Sequence, residues 1–310
     1  MGVVSANLVV SVPTAQLAAD LEPLPDGVEV IQWAMDGPPP RPRIDIVVPP
    51  YMSLADAVPL LDQVETRLVQ SQSIGYDGIE DILPPTYTFA NASSVHETST
   101  AELAVALALA AQRQIPDFVH AQFEGRWAPE RAASLADRRV LLLGYGGIGK
   151  AIEARLAGFE VELTRVASRH REEDGVTVHG VDELPDLLPY AEIVMASLPG
   201  GDATRHLVDA AFLAALPDGA LIVNVGRGPL VDTDALVDHA RRGRIRAALD
   251  VTDPEPLPPG HPLWSTDGVL IVPHVGGASS AMRPRIARLV RRQIERMSRG
   301  EAPLNVVLGG

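Results

Sequence analysis

The chain has 310 residues, of which 46% are apolar and 21% charged, and its formal net charge is −14. This length accommodates two domains with separate cores, and a negative charge without any basic patch argues against a nucleic-acid partner. Because the sequence contains no cysteine, thiol catalysis, thiolate zinc sites, iron–sulfur ligation and disulfides are excluded. We predict no metal site.

The first residues lack the pattern of a secretory signal peptide, because they contain no basic stretch and Pro13 interrupts the first apolar run. The longest apolar run covers residues 103–111, whereas a membrane-spanning helix takes about 20 residues. We therefore expect a cytoplasmic protein with no membrane partner.

Short apolar runs alternate with helical patterns over the first hundred residues. This alternation predicts a small α/β domain of the flavodoxin-like sort. Thr14 is placed to cap a helix after the first strand, and Ser53 to cap another after the third. The predicted strands cover residues 8–12, 28–33, 44–48, 68–73 and 86–90.

A long helix over residues 98–113 and a second segment over 116–127 lead into a region of regular strand–helix alternation. Its short connections predict a parallel, doubly wound sheet. A last amphipathic helix over 279–299 precedes an apolar tail at 304–308. The predicted strands cover residues 140–143, 160–166, 176–179, 192–197, 220–225, 245–250 and 269–272, and the helices cover 147–157, 182–188, 208–215 and 232–242.

Residues 138–150 read RRVLLLGYGGIGK, a strand-like run that breaks into a glycine motif and then a helix. A dinucleotide pyrophosphate needs a tight turn at Gly144, close approach at Gly146 and close helix packing at Gly149. The helix that follows offers unpaired N–H groups to the phosphates. In this context the motif predicts a dinucleotide-binding Rossmann domain.

Three polar residues follow three successive predicted strands. Arg227 follows strand 220–225, Glu255 comes after strand 245–250, and His274 follows strand 269–272. Each alone fits an ordinary surface or loop residue. Ligands of open parallel sheets bind beyond the carboxyl ends of the strands, so the three together favour a shared site.

Such a trio suits the reduction of a 2-keto acid. Arg227 can bind the carboxylate and polarise the carbonyl, and His274 can donate a proton near neutral pH. Glu255 beside that imidazole would orient the ring and raise its proton affinity. A nicotinamide would deliver the hydride.

With these residues the sequence resembles the D-isomer-specific 2-hydroxyacid dehydrogenases. The matching stretches are GYGGIG, LPGGDATRHLV, NVGRGPLVD, LDVTDPEPLP and VPHVGGAS, all within residues 144–279. The spacing of 28 residues from Arg227 to Glu255, and of 19 from Glu255 to His274, is also similar to the family pattern. The likeness is weaker in the first hundred residues, where it rests on SIGYD at 73–77 and TAE at 100–102.

The resemblance implies an α/β fold with a doubly wound parallel-sheet (Rossmann) nucleotide domain and a smaller flavodoxin-like substrate domain. It implies that the last helix completes the substrate domain, which would cover 1–98 and 282–310, with the dinucleotide-binding domain at 99–281. It further implies a homodimer formed through the nucleotide domain, and a substrate carboxylate held by backbone N–H groups of Ile74 and Gly75. Asp250 resembles the family residue near the nicotinamide carboxamide, and Pro199 the proline that lines the cofactor cleft. The predicted cofactor-binding residues are Gly144, Gly146, Gly147, Ile148, Gly149, Ser168, Arg169, Pro199, Val225 and Asp250.

The loop after the second strand of the nucleotide domain bears on the choice of coenzyme. NAD-preferring domains place Asp or Glu there, but residues 167–171 read ASRHR and no acid occurs before Glu172. Ser168 and Arg169, with up to three cationic groups in the loop, would suit a 2′-phosphate. We predict a preference for NADP, with a basic solvated loop and NAD binding as the alternative.

The predicted substrate-domain loops that face the cofactor cleft contain no Lys or Arg, which disfavours a phosphorylated acid as the substrate. Arg283 or Arg285 of the last helix could still bind the phosphate of such an acid. By the family pattern, phosphite-oxidising relatives carry Lys where this chain has Ile74, and formate dehydrogenases carry Gln where it has Glu255. Glyoxylate or hydroxypyruvate fits best, with Tyr51, Met52 and Tyr76 shaping the pocket. The alternatives are a dinucleotide-sensing, corepressor-like binding protein, and a dehydrogenase for a phosphorylated or bulkier 2-hydroxy acid or for phosphite.

Overall fold

The computed structural model describes residues 8–309, and within them the chain forms two compact units. Unit 1 combines the residues up to His96 with those from Ser280 onward, and unit 2 covers Glu97–Ser279. Each unit contains its own sheet and its own apolar core. Among the described residues, no helix combines the length and the apolar character that a membrane span requires.

The first part of unit 1 contains the predicted strands, several of them shorter than expected. The Thr14 hydroxyl accepts a hydrogen bond from the backbone N–H of Leu17 at 3.2 Å, which confirms that cap. Ser53 occupies the cap position of the next long helix, but its side chain makes no capping bond; at φ −123° and ψ 22° its backbone departs from the extended conformation typical of an N-cap. The elements are β1 (Leu8–Val12), α1 (Ala15–Asp20), β2 (Val28–Gln32), β3 (Ile46–Val47), α2 (Leu54–Leu61), β4 (Leu68–Gln70), α3 (Ile79–Ile82) and β5 (Phe89–Ala90).

Unit 2 begins with two helices and continues with the predicted strand–helix alternation. Its elements are α4 (Glu97–Gln112), α5 (Ile115–Phe123), β6 (Arg139–Leu143), α6 (Gly147–Leu156), β7 (Glu162–Ala167), β8 (Arg171–Glu173), β9 (Val176–Gly180), α7 (Leu184–Leu187), β10 (Ile193–Ala196), α8 (Ala210–Ala215), β11 (Ala220–Asn224), α9 (Thr233–Arg241), β12 (Ile245–Leu249) and β13 (Val269–Ile271).

The helix predicted over 182–188 is wrong as a continuous element. The chain instead forms a 3-10 turn at Val181–Glu183, the single α-helical turn α7, and another 3-10 turn at Leu188–Tyr190. Pro185 and Pro189 lie near the starts of the last two pieces. Proline tolerates a first turn but lacks the N–H that a helix interior needs, so the segment breaks into short turns.

The sheet of unit 2 has the strand order β13-β12-β11-β10-β6-β7-β9-β8. The chain runs outward from β6 in one direction and then returns to build β10 to β13 on the other side, so the order reverses between β6 and β10. All neighbours pair in parallel except β8, which pairs antiparallel with β9. The sequence predicted a loop where β8 forms. The parallel, doubly wound architecture is otherwise confirmed.

The chain returns to unit 1 with α10 (Met282–Ser298) and β14 (Val306–Leu308). The sheet of unit 1 has the order β14-β5-β4-β3-β1-β2, in which only β14 is antiparallel to its neighbour. The apolar tail of the sequence prediction is therefore an edge strand, whose backbone groups pair with Phe89 and Ala90 of β5.

Apolar residues cover both faces of the unit 2 sheet, as expected for strands buried on two sides. Alternate residues of one strand enter different clusters: Leu141 and Leu143 belong to one cluster, and Val140 and Leu142 to another. In unit 1, residues of α10 and β1 share one apolar cluster, which includes Ile286 and Val290 of α10 and Leu8 of β1. The last long helix is thus part of the first unit's core.

A buried amide joins α10 to the chain that follows it. Gln293 is fully buried, and its Nε2 donates to Gln70 Oε1 at 2.7 Å and to the Leu304 carbonyl at 2.9 Å. Its Oε1 accepts from the Leu304 N–H at 2.8 Å. One side chain therefore satisfies polar groups from two other segments of unit 1.

We expect Gln293→Leu to lower the free energy of unfolding by about 2–4 kcal/mol, because it leaves polar partners without a hydrogen bond at about 1–3 kcal/mol each. Differential scanning calorimetry of the full chain measures the effect. Arg288→Leu is the control, since this exposed residue of the same helix should change stability by about 0.5 kcal/mol or less. Equal effects of the two substitutions would contradict the assigned role of Gln293.

Candidate active site

The glycine motif forms a tight connection between β6 and α6. Gly144 has a φ of +107°, which favours glycine, and Gly149 is packed so closely that an added Cβ would lie 2.1 Å from the Gly144 carbonyl oxygen. In contrast, a Cβ at Gly146 would meet no atom within 4 Å. Gly144 and Gly149 are therefore needed for the turn, whereas Gly146 leaves open space beside the backbone.

The start of α6 fits a pyrophosphate. Gly146 is the N-cap residue and offers no side-chain oxygen to the helix amides, and the first turn carries no acidic residue. Gly147 and Ile148 are the first two residues of the helix; Gly147 is exposed and Ile148 is half-buried. Free amides and the positive end of the helix dipole favour a phosphate at this position.

The loop after β7 contains Ser168 and Arg169, both exposed. Within residues 8–309 the Arg169 side chain makes no ion pair, whereas His170 Nδ1 lies 2.8 Å from Glu183 Oε1 and Arg171 Nε donates to Glu173 Oε2 at 2.8 Å. The expectation of up to three cations for one phosphate is therefore wrong. His170 lies against Glu183 and Arg171 against Glu173 of its own strand, which leaves Arg169.

Pro199 and Val225 follow β10 and β11, next to the point where the strand order reverses. Val225 is buried, and its N–H donates to the Ala196 carbonyl at 3.0 Å. The Pro199 carbonyl accepts from the Thr204 hydroxyl at 2.8 Å. Both predicted cofactor residues thus lie at the carboxyl edge of the sheet, where ligands of such sheets bind.

The backbone around Arg227 is held by close packing on both sides. A Cβ at Gly226 would lie 2.6 Å from the Leu198 carbonyl oxygen, and one at Gly228 would lie 1.8 Å from that of Thr252. Both neighbours must therefore be glycine for this turn to lie where it does. The half-buried Arg227 is the residue between them, and its Nη1 donates to the Gly226 carbonyl at 2.8 Å.

Asn224 reinforces this turn and was missed by the sequence interpretation. Its Nδ2 donates to the Arg227 carbonyl at 2.9 Å, and its Oδ1 accepts from the Gly226 N–H at 3.0 Å. The sequence could have indicated a role for Asn224, because an Asn at the end of an otherwise apolar strand needs hydrogen-bond partners for its amide.

His274 and Glu255 form a close pair. His274 Nδ1 lies 2.6 Å from Glu255 Oε1, and both side chains are about one third exposed. The hydrogen bond to Glu255 raises the pKa of His274, and the same bond lowers the pKa of Glu255. The proton on Nδ1 is then directed at the carboxylate, and Nε2 is the ring nitrogen that this hydrogen bond does not use.

Arg227 acts electrostatically on this pair. Its positive charge lowers the pKa of both Glu255 and His274, although by less than the hydrogen bond between those two. The three residues predicted at successive strand ends therefore lie within interaction range of one another.

Asp250 braces the turn that carries His274, whose φ is +51°. The buried carboxylate accepts from the N–H of Val275 at 2.7 Å and of Gly276 at 3.0 Å. Burial raises the pKa of Asp250, and these two N–H groups oppose the rise. From the sequence Asp250 was assigned to the nicotinamide, and its contact with the His274 turn was not predicted.

The segment after β4 in unit 1 carries Ile74 and Gly75. The Ile74 carbonyl accepts from Asn91 Nδ2 at 2.8 Å, while the N–H groups of Ile74 and Gly75 donate to no group within residues 8–309. The carbonyl of Gln72, in the same segment, lies 2.6 Å from Nε2 of the buried His96. The segment is therefore anchored and still has backbone N–H groups to offer.

Tyr51, another predicted substrate residue, stacks on that same histidine. The Tyr51 and His96 ring centroids are 5.7 Å apart with planes at 28°. Gln72 Nε2 donates to the Pro49 carbonyl at 2.8 Å, which ties the Tyr51 segment to the one after β4. His96 and Asn91 were missed, because neither lies in a motif that sequence reasoning recognises.

Comparisons with known proteins identify the family of this chain. Residues 105–276 match the family model of the D-isomer specific 2-hydroxyacid dehydrogenase, NAD binding domain. A glyoxylate reductase of Thermofilum pendens is 32% identical over 260 residues, which cover 80% of this chain and 75% of that protein.

Solved structures agree as well. A D-isomer specific 2-hydroxyacid dehydrogenase from Xanthobacter autotrophicus Py2, in complex with NADPH and MES, is 31% identical with a TM-score of 0.81, over 97% of this chain and 98% of that one. An NADPH-dependent glyoxylate/hydroxypyruvate reductase from Sinorhizobium meliloti, in complex with NADP and malonate, is 27% identical with a TM-score of 0.78, over 97% of each chain. The chain belongs to the D-isomer specific 2-hydroxyacid dehydrogenase family, and the predicted family, α/β fold and enzyme class are confirmed.

Proposed function

We propose that this enzyme transfers a hydride between NADP(H) and a small 2-keto or 2-hydroxy acid of the glyoxylate or hydroxypyruvate type. The observation that carries the proposal is the 2.6 Å pair of His274 and Glu255 within electrostatic range of Arg227. The similarity to a glyoxylate reductase supports the substrate class.

Arg227 binds the substrate in this proposal. Its guanidinium is permanently charged and can donate two parallel hydrogen bonds to a carboxylate, or one each to a carboxylate and a carbonyl oxygen. On reduction the carbonyl oxygen gains negative charge, so the cation stabilises the transition state more than the ground state.

His274 moves the proton. In reduction, protonated His274 gives a proton from Nε2 to the oxygen that becomes the hydroxyl, and in oxidation the neutral ring takes it back. Glu255 accepts from Nδ1, which orients the ring and stabilises its protonated form. The raised pKa of His274 agrees with this assignment.

The coenzyme supplies the hydride when it is bound. The open side of Gly146 and the amides of Gly147 and Ile148 would hold its pyrophosphate. Pro199, Val225 and Asp250 are assigned to the same cofactor as in the sequence prediction, at the carboxyl edge of the unit 2 sheet.

Ser168 and Arg169 are the proposed ribose-end contacts. Arg169 is exposed and has no carboxylate partner among residues 8–309, and its loop has no Asp or Glu at the expected position, which suits a 2′-phosphate. The similar enzymes from Xanthobacter autotrophicus and Sinorhizobium meliloti bind NADPH and NADP in their structures, which supports this preference.

The substrate-binding role of unit 1 rests on the segment after β4. The N–H groups of Ile74 and Gly75 are proposed to bind the substrate carboxylate, and Tyr51 to limit the size of the acid. Support comes from the hydrogen bonds that anchor this segment while leaving both N–H groups available within the described part of the chain.

A homodimer formed through unit 2 is the proposed assembly. One face of α5 exposes Ile115, Val119 and Phe123, four residues apart, and Phe123 is 84% exposed. Trp127, just beyond the helix, is 95% exposed. Contiguous apolar surface of this kind favours association of two copies, and light scattering that gives a monomer mass would contradict it.

The first test is a screen of glyoxylate, hydroxypyruvate, pyruvate and a phenyl-bearing ketoacid with both coenzymes. We expect turnover with glyoxylate or hydroxypyruvate, a loss of about 100-fold or more in kcat for Arg227→Ala, and a loss of about 10²–10⁴-fold for His274→Ala. Both variants should still bind NADPH. Retained coenzyme binding with no turnover on any acid would instead favour a dinucleotide sensor.

The second test concerns Glu255→Gln. Because the hydrogen bond to Glu255 raises the pKa of His274, its loss should lower that pKa. The alkaline limb of the kcat/KM profile for reduction, which needs protonated His274, should then move to lower pH. The acidic limb for oxidation, which needs the neutral ring, should move the same way. Glu301→Gln, on an exposed ion pair of unit 1, should leave both profiles unchanged, and an unshifted Glu255→Gln profile would refute the tuning role.

The third test concerns Arg169→Ala. Loss of a charged hydrogen bond costs about 1.5–3 kcal/mol, so the Kd for NADPH should rise by about 10–100-fold while that for NADH changes little. Isothermal titration calorimetry with both coenzymes measures the difference. Arg131→Ala, at an exposed arginine elsewhere in unit 2, is the control. Equal weakening of both coenzymes would mean that Arg169 does not bind the 2′-phosphate.

A further inference from the structure

Three side chains of the types that bind metal ions meet at the edge of the unit 2 sheet, outside the proposed active site. One ligand atom from each of His170, His179 and Glu183 lies within 4.8 Å of the others. His170 Nδ1 is 2.8 Å from Glu183 Oε1, and His179 Nδ1 is 2.7 Å from Glu183 Oε2. Neither hydride transfer nor proton transfer, as proposed above, uses these residues.

The local fold brings the two histidines together. β8 and β9 pair antiparallel, and the pair nearest this end joins Arg171 with Val178. The next residues outward are His170 and His179, so the antiparallel register places them opposite each other. Their ring centroids are 5.9 Å apart with planes at 87°.

Glu183 is fixed between the rings by its own turn. It ends the 3-10 turn that follows β9, four residues after His179, and its Oε1 also accepts from the Gly180 N–H at 2.7 Å. Because the backbone already orients the carboxylate, little conformational entropy remains to be lost when a ligand binds between the three groups.

The two carboxylate oxygens also face the two rings. Glu183 Oε1 lies 2.8 Å from His170 Nδ1, and Oε2 lies 2.7 Å from His179 Nδ1. A metal ion binds the deprotonated nitrogens, so it would take the place of the protons now shared between nitrogen and oxygen.

We propose that His170, His179 and Glu183 form a binding site for a divalent transition-metal ion such as Zn²⁺. Two imidazole nitrogens and a carboxylate are ligands that Zn²⁺ accepts, and three protein ligands leave a position for water. The side chains are 28–56% exposed, so an ion can enter from solvent. No metal site was predicted from the sequence, since the chain has no cysteine and the two histidines are brought together only by the β8–β9 pairing.

The position of the cluster links it to the coenzyme loop. His170 directly follows Arg169 in the chain. If Arg169 binds the 2′-phosphate as proposed above, an ion held at His170 adds positive charge beside that anion. The metal-binding test below uses no coenzyme, so its outcome does not depend on the proposed enzymatic function.

The test is a zinc titration of the chelator-treated full-length protein against a chromogenic zinc indicator. We expect the wild type to bind one equivalent of Zn²⁺ at this cluster. His170→Ala, His179→Ala and Glu183→Gln should each abolish this binding or weaken its affinity by about tenfold or more, since even changes around a metal ligand weaken binding by about 10–100-fold. His120→Ala, at an exposed histidine of α5, should bind like the wild type. Because His274 and Glu255 can also attract zinc, only the difference between variants is interpreted.

Two further measurements distinguish loss of the metal site from unfolding of a variant. Co²⁺ should give a visible absorption band that His170→Ala abolishes, and the affinity should fall as the pH is lowered, since protons compete for the same nitrogens. His170 is exposed and Gln at position 183 keeps an oxygen for the Gly180 N–H, so neither variant should unfold the protein. If the wild type binds no zinc, or if His170→Ala binds it equally well, the cluster is a group of ion pairs only and the proposal is wrong.

Discussion

Backbone segments approach one another so closely at the carboxyl edge of the unit 2 sheet that side chains are excluded at several positions. A methyl group at Gly149 would overlap the Gly144 carbonyl, and one at Gly228 would overlap that of Thr252. These contacts set where α6 begins and where Arg227 leaves the sheet. The proposed chemistry depends on them, because a misplacement of about 1 Å can cost 10²-fold in rate.

Buried polar side chains hold the segments that have no regular structure. Asn224 and Asp250 satisfy backbone N–H or C=O groups of the turns that carry Arg227 and His274. In unit 1, Asn91 and His96 do the same for the segment after β4. Such bonds are strong in a buried setting and costly to leave unmade, so these loops are positioned by the scaffold although they lie outside its strands and helices.

Local pairing of charges decides which cations can act on a ligand. Three cationic residues occur in succession from Arg169 to Arg171, yet two of them lie against carboxylates, whereas Arg169 has none beside it in the part of the chain that the structure describes. At the other side of the sheet the carboxylate of Glu255 engages His274 and favours its charged form. In both places the proposed role of a basic residue follows from its partner rather than from its type.

Some features of this protein could be predicted from sequence because they depend on short-range order or on a general rule of sheets. The glycine motif between a strand and a helix is local, and so is the Thr14 cap. The trio of Arg227, Glu255 and His274 could be grouped because parallel strands end at one edge. Ser53 and the broken segment after β9 were predicted wrongly, since backbone dihedrals and the two prolines acted against the local pattern.

The sequence by itself determined the family, most of the strands and helices and the residue types available for acid–base chemistry. Only the tertiary structure decided the long-range partners: that Asp250 holds the His274 turn, that Asn91 and His96 hold the segment after β4, and that β8 and β14 are antiparallel edge strands. The reason is physical. A hydrogen bond between residues far apart in the chain exists only when strand register brings their atoms within about 3 Å, and register is a property of paired strands rather than of one segment.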